Sequence, residues 1–275
     1  MPTTLILGGA GKLARQLTAQ LLAQDPPHAV HSLIRAGADP SQADDLRRLG
    51  VRSVIALDLE TCTVADLAAA IRAADPVPEV VVWCAGAPFG ADPGRIDAVD
   101  HLAAVKAMDA CAQVVVAENQ AAAAAKRFVS VSMLDLRDRE HKPVPPWYTP
   151  DDVAGSDRLW GGPMGAWARA KLAADAELCR GNDRRGLDFT VVRPGGLGPA
   201  EDAKGTVAAG RVPGCLSAAG RRTVSRADVA AVLVECVRDR AAVGLAFDVV
   251  GGDEPVADAV TRVARDKEDT FQGFY

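Results

Sequence analysis

Residues 5–14 read Leu-Ile-Leu-Gly-Gly-Ala-Gly-Lys-Leu-Ala, an apolar run that breaks into closely spaced glycines and then into good helix formers. A strand that turns straight into a helix places unpaired backbone N–H groups and the positive end of a helix dipole at one point, which suits a pyrophosphate. Gly8, Gly11 and Ala14 have G-x-x-G-x-x-A spacing, and Gly9, Gly11 and Ala14 fit the G-x-G-x-x-G/A form. One glycine makes the turn, another lets the backbone approach phosphate, and the small third residue permits close packing of helix on strand. An ATP-type phosphate loop is excluded, because Gly11-Lys12 is followed by Leu13 in place of Ser or Thr and the required earlier glycine is Ile6.

Beyond that junction, short apolar runs alternate with helical periods, as in successive βα units of a parallel sheet. Strands are predicted near 4–7, 29–34, 53–57, 80–84, 128–131, 188–192 and 246–249. Helices are predicted near 12–24, 41–49, 64–74, 96–118, 165–179, 226–238 and 255–265. The unbroken apolar character of Val80-Val81-Val82-Trp83-Cys84 is what a sheet covered on both faces requires. The expected fold is α/β, a doubly wound, Rossmann-like parallel sheet over 1–275 as one domain, with 49% apolar residues to fill its core. Two stretches interrupt the rhythm. Segment 134–163 carries prolines at 143, 145, 146, 150 and 163 with Trp147, Tyr148 and Trp160; it is far longer than an ordinary connection of about 4–6 residues and is a candidate lid. Segment 195–223 is Gly-rich and polar and is expected to form a small substrate-side region. The alanine run 121–125 is expected to extend a helix.

Composition removes several function classes. A net charge of −5 with acids and bases interspersed offers no basic face to a nucleic acid. No apolar run reaches the roughly 18 residues of a membrane span, and the first strand follows Met1-Pro2-Thr3-Thr4 at once, so a cytoplasmic protein without a signal peptide is expected. Six scattered cysteines without a C-x-x-C pair argue against a disulfide framework or a zinc knuckle, and the four histidines show no metal-ligand spacing. Ser130 and Ser132 lack the glycines of a hydrolase nucleophile elbow.

The end of the second strand, His31-Ser32-Leu33-Ile34-Arg35, discriminates between dinucleotides. An acid there would bond a ribose 2′-hydroxyl and repel a 2′-phosphate, whereas Arg35 offers a planar charged fork to that phosphate. NADP(H) is therefore the expected cofactor, with Lys12 a second charge beside the phosphates. Asp58-Leu59, at the end of the third strand, is expected beside the adenine, with a helix cap as the alternative role of Asp58.

Together with Cys84-Ala85-Gly86 after the fourth strand, Val99-Asp100 and Lys106 on the next helix, Arg127–Ser132, Ala170-Lys171, Val192-Arg193-Pro194-Gly195-Gly196 and Ser225–Ala230, this ordered set resembles the atypical short-chain dehydrogenase/reductase superfamily, in particular its NAD(P)H-binding, NmrA-like branch, over the whole chain. The resemblance implies cofactor contacts from Gly8, Gly11, Lys12, Leu13, Ala14, Arg35, Asp58, Leu59, Cys84, Ala85, Gly86, Lys106, Ser130, Lys171, Pro194, Gly195 and Gly196. In that superfamily a Tyr-x-x-x-Lys pair acts with a serine: the ammonium lowers the phenol pKa and holds the nicotinamide ribose, and the phenol passes a proton as hydride moves. Carried over, Lys171 holds the ribose and Ser132 bonds the substrate oxygen, but the tyrosine position is Trp167, whose indole N–H donates a hydrogen bond and cannot serve as an acid or base near neutral pH.

Only Tyr148 and Tyr275 are present, so a proton donor is sought in the lid, at Tyr148 or His141, with Trp147 and Trp167 lining an apolar pocket. The resemblance then implies an NADP(H)-dependent oxidoreductase or epimerase acting on a small, partly apolar molecule. Its alternatives are an NmrA-like redox sensor that holds NADP(H) and engages a protein partner, and an isomerase or cyclase that keeps the dinucleotide bound. Arg226 and Asp228 are expected to cap a helix, and the aromatic tail 271–275 to pack within its own chain.

Overall fold

Thr3–Leu7 is buried at every residue and forms strand β1, the middle of a parallel sheet. The computed structural model describes residues 2–117, 124–217 and 223–275, and the chain divides into two units, Met1–Ser130 with Glu177–Phe189, and Val131–Ala176 with Thr190–Tyr275. In the first unit β1 leads to α1 (Lys12–Leu22), β2 (Ala29–Ile34), α2 (Pro40–Leu49), β3 (Ser53–Ala56), α3 (Val64–Arg72) and β4 (Val80–Trp83). A short α4 (Pro93–Ile96) then passes through a π-helical stretch, Asp97–Ala103, into α5 (Ala104–Ala117), before β5 (Arg127–Val131). The strands run parallel in the order β5-β4-β1-β2-β3. Parallel neighbours need crossovers of a dozen or more residues, which the intervening helices supply.

Local chemistry fixes these boundaries. Asp39 caps α2 ahead of Pro40 at its first position, and Thr63 with Asp66 forms a reciprocal capping box on α3. The helix expected at 96–118 begins three residues earlier and is interrupted by the π-helical stretch; such insertions are frequent at functional sites. Ala124 and Ala125 lie in a turn before β5, so there the run 121–125 is not helical; 121–123 and 118, the end of the expected helix, lie outside the described residues.

After β5 the chain continues through α6 (Pro150–Gly161), α7 (Gly165–Arg185), β6 (Asp188–Pro194), β7 (Gly196–Gly198), β8 (Thr206–Gly210), β9 (Thr223–Ser225), α8 (Arg226–Arg238), β10 (Ala246–Gly251), β11 (Glu254–Pro255) and α9 (Val256–Asp266), all in the second unit except the stretch Glu177–Phe189 at the end of α7 and the start of β6. β10 pairs parallel with β6 and antiparallel with β8, which also takes β11, while β7 and β9 form a separate parallel pair. The sequence expectation contained none of β7, β8, β9 and β11: these strands are two to five residues long, too short to display a period. β7, β8 and the first residue of β9 fall within the segment expected as a small substrate-side region at 195–223, of which 218–222 lie outside the described residues.

The proline-rich segment 134–163 is not the open connection its composition suggested. It contains α6, started by a capping box between Thr149 and Asp152 with Pro150 at the first position. Both Asp152 carboxylate oxygens also accept backbone N–H groups, from Gly214 and Leu216, each at 2.7 Å. Trp160 donates its indole N–H to the Asp135 carbonyl at 3.1 Å. The segment is thus fastened by buried polar bonds at several points, which a freely opening lid would have to break. The tail packs within its own unit: Phe271 is fully buried and stacks on Tyr275, and Phe274 meets Trp147 edge to face. No described helix is long and apolar enough to cross a membrane.

Candidate functional site

In the first unit the glycine turn is built by close approach on two sides. Gly8 has φ +84°, and Gly8 and Gly9 donate their N–H groups to the Leu33 carbonyl at 3.0 and 2.9 Å, fastening the turn to the end of β2. A Cβ on Gly8 would lie 2.7 Å from the backbone of Ala85, and one on Gly9 2.7 Å from the Ser32 side chain. The turn therefore nests between the exits of β2 and β4, and Gly11 caps α1 with no side-chain bond to its first turn. The first N–H groups of such a helix have no partners within it.

This turn forms one wall of a cavity of about 230 Å³. Of the residues expected to hold a cofactor, Gly8, Gly11, Arg35, Asp58, Leu59, Cys84, Ala85 and Gly86 converge on it. Arg35 is exposed at the end of β2. Asp58 lines the cavity, and its carboxylate accepts the Glu60 N–H at 2.9 Å within the loop; the helix cap weighed for it is supplied by Thr63 instead, five residues on, where α3 begins. Lys12 is exposed at the start of α1, where Leu13 and Ala14 are buried; none of the three side chains lines the cavity. Ser130 is buried on β5, in register with Trp83.

Lys106 is placed differently from its expected role. Its ammonium donates to the carbonyls of Leu59, Glu60 and Cys62 at 2.8, 3.2 and 2.7 Å and does not line the cavity. Those three acceptors belong to the loop after β3, so Lys106 acts as the fastener of the loop that presents Asp58 and Leu59. Asp100, in the π-helical stretch, does the same for the loop after β4 by accepting the Ala87 N–H at 2.9 Å. Gln42, Glu60, Pro88 and Arg95 also line the cavity, Arg95 paired with Glu60 at 3.1 Å. Glu60 adjoins an expected pair, but no pattern marks Arg95, 35 residues away.

In the second unit Ser132 and Lys171 come together around a residue that sequence reasoning missed. The Ser132 hydroxyl donates to Asp175 at 2.6 Å, and Lys171 reaches the Val131 carbonyl at 3.4 Å. Asp175 is 2% exposed. Burial pushes its carboxyl up to about 6, against the opposing pull of the Ser132 hydrogen bond and the charges of Arg193 and Lys171. Trp167 lies half-buried one turn before Lys171 on α7. Pro194 ends β6, Gly195 donates to the Val249 carbonyl at 2.9 Å, and Gly196 is exposed at the start of β7.

The lid aromatics are engaged elsewhere. Tyr148 donates its phenol proton to Asp135 at 2.9 Å and packs on a buried cluster of Leu134, Cys215, Leu216 and Val250. Burial, then the neighbouring charges of Asp135 and Asp248, raise its pKa above the usual phenol value, which makes it a poorer proton donor. His141 is exposed and paired with Asp138. Trp147 stands edge-on to Tyr148 and to Phe274, with the Arg211 guanidinium 5.3 Å above its ring, a packed anchor for the tail. Arg226 donates to the Gly198 carbonyl, while Ser225 caps α8 by accepting the Asp228 N–H and Asp228 accepts the N–H groups of Lys204 and Gly205.

Several known proteins are similar to this chain over most of its length. A family model described as NAD(P)H-binding matches residues 8–240. UPF0659 protein C216.03 of Schizosaccharomyces pombe is 30% identical over 261 residues, 94% of each chain. YhfK of Bacillus subtilis, named as an uncharacterized sugar epimerase, is 27% identical over 94% of this chain and 98% of its own. A solved structure from Bacillus halodurans, whose name proposes an NAD-dependent epimerase/dehydratase, superposes with a TM-score of 0.69 at 26% identity, covering 95% of this chain and all of that one.

Proposed function

The chain belongs to the NAD(P)H-binding family, and from that premise we propose that it is an NADP(H)-dependent oxidoreductase or epimerase acting on a small, partly apolar molecule. The observation that carries this reading is the cavity that gathers the glycine turn, Arg35 and the Asp58-Leu59 loop at the carboxyl ends of β1, β2 and β3. In open α/β sheets ligands bind at those ends, and a glycine turn that leads straight into a helix start without a side-chain cap fits close approach by a pyrophosphate. Gly8 and Gly11 would leave room for the diphosphate, and the first-turn N–H groups of Lys12, Leu13 and Ala14 would hold it. Arg35 would take the 2′-phosphate, and Asp58, Leu59 and Cys84-Ala85-Gly86 would flank the adenosine. Lys171 would hold the nicotinamide ribose, and Ser132 the reacting oxygen. When bound, the nicotinamide supplies or accepts a hydride; the protein must then supply or accept a proton. The B. subtilis relative's name supports sugar-like alcohols and ketones as first candidates.

Titration with NADPH and NADH tests the cofactor reading. A charge-assisted bond of about 2 kcal/mol from Arg35 gives a preference for NADPH of about thirty-fold, which Arg35→Ala abolishes. Failure to bind either coenzyme, or a preference for NADH unchanged by the substitution, overturns it. Lys106→Met weakens both coenzymes alike by about tenfold, since it loosens the adenosine loop without touching the phosphate that distinguishes them. Oxidation of bound NADPH by a panel of carbonyl compounds supports the enzyme, whereas tight binding with no turnover favours the redox-sensor reading.

A further inference from the structure

The phenol is missing from α7, but the same face of that helix carries an acid. Trp167, Lys171 and Asp175 recur four residues apart and so share one face of α7. A family-type pair at i and i+4 is thereby extended by a carboxyl at i+8. Asp175 has no surface pairing to explain it: it is buried, its Oδ2 accepts the Ser132 hydroxyl at 2.6 Å, and Lys171 from its own helix and Arg193 from β6 are the charged groups acting on it.

We propose that Asp175 is the proton-holding partner of Ser132, and that the two together do the acid–base work for which the site has no phenol. The inference rests on the function proposed above. Ser132 is the group that meets the substrate oxygen, and Asp175 is a positioning residue that acts through it. With Asp175 ionised, the carboxylate can only accept, so the Ser132 proton is committed to it and Ser132 Oγ offers lone pairs alone. That state recognises an alcohol. With Asp175 neutral, the carboxyl donates to Ser132 Oγ and frees the Ser132 proton for a carbonyl oxygen. That state recognises a ketone or aldehyde.

In oxidation the substrate O–H bond breaks and its proton goes to Ser132 Oγ, while the Ser132 proton passes to Asp175. The substrate C–H electron pair leaves as hydride to the oxidised nicotinamide, a C=O bond forms, and Asp175 ends neutral. In reduction the carbonyl oxygen takes the Ser132 proton as hydride reaches its carbon, and Asp175 restores the serine and ends ionised. A carboxyl held at about 6 visits both states near neutral pH.

Infrared difference spectra of the ligand-free protein, recorded against pH, test the pairing directly. Burial also raises Asp248 to about 6, so its carboxylic-acid carbonyl band remains in Asp175→Asn; the expected result is a second component of that band that disappears as pH rises through about 6 and is absent from Asp175→Asn. In Ser132→Ala its midpoint moves to higher pH, because the bond favouring the carboxylate is gone. With an alcohol and ketone pair that the wild type turns over, oxidation rises and reduction falls across the same range. Asp175→Asn loses both dependences and about 100-fold in kcat, with NADPH affinity unchanged. No titrating component lost in Asp175→Asn, a midpoint of that component unmoved in Ser132→Ala, or a pH–rate profile that survives Asp175→Asn overturns the proposal. If Asp175→Asn does not fold, the Ser132→Ala titration decides. If the wild type binds no NADPH, the proposed function falls, and the infrared titration still accepts or rejects the Ser132–Asp175 pair.

Discussion

Arg193→Met lowers stability by about 3–5 kcal/mol, the range found when one partner of a buried ion pair is removed. Arg193 is 1% exposed and its guanidinium holds three separate parts of the second unit together. Nε faces Asp248 of β10 at 3.3 Å and also the Met133 carbonyl at 3.3 Å. Nη1 donates to Thr270 at 3.1 Å and Nη2 to the Leu136 carbonyl at 3.0 Å, while the carbon of the fork lies 5.1 Å above the Phe271 ring. Methionine fills much the same volume and returns none of these bonds, leaving Asp248 buried at 2% exposure without its counter-charge. Urea unfolding followed by circular dichroism measures the loss. The double variant Arg193→Met/Asp248→Leu recovers a substantial part of it, since replacing both members by apolar groups removes the orphaned charge. A single variant within about 1 kcal/mol of the wild type would mean that the other contacts of the tail and of the segment after β5 hold them without Arg193.

The contrast with the sequence reading is one of range. The glycine turn was legible because its geometry is local: an apolar strand, a residue at positive φ and a helix start within ten residues admit few other structures. Arg35 and Asp58-Leu59 were legible by extension, since parallel strands must end at a common edge and those residues end β2 and β3. The seven expected strands all form, and the resemblance to the atypical short-chain superfamily agrees with the family match and with the Bacillus halodurans neighbour. Polar pairings across long stretches of chain left no pattern to find. Asp175 meets Ser132 across 43 positions and Arg193 meets Thr270 across 77. Lys106 was noticed, but a long flexible side chain does not announce its acceptors, and three carbonyls 44 to 47 residues upstream claim it. Tyr148 was attractive only as a phenol in a long segment; the segment's own helix and Asp135 give it a structural task.

Asp175→Asn becomes progressively more stable relative to the wild type as pH rises from about 4 to about 7. The sign follows from linkage. The unfolded carboxyl titrates near 3.8, whereas the folded one is raised by burial to about 6, so between these values the native state binds more protons than the unfolded state. The contribution of Asp175 to stability is present below 3.8 and is lost as pH rises through about 6. The gap corresponds to about 3 kcal/mol when fully developed. An asparagine of the same shape does not ionise and loses nothing over that range, so the difference between variant and wild type in chemical unfolding grows in the variant's favour and levels off above pH 7. A difference independent of pH would show that the carboxyl titrates normally, removing the neutral form on which the Ser132 relay depends. A difference of the opposite sign would show a carboxylate stabilised by Arg193 and Lys171 beyond the penalty of burial. An acid that destabilises the fold at neutral pH, inside a helix that would tolerate an amide, is the kind of residue a working site retains against stability.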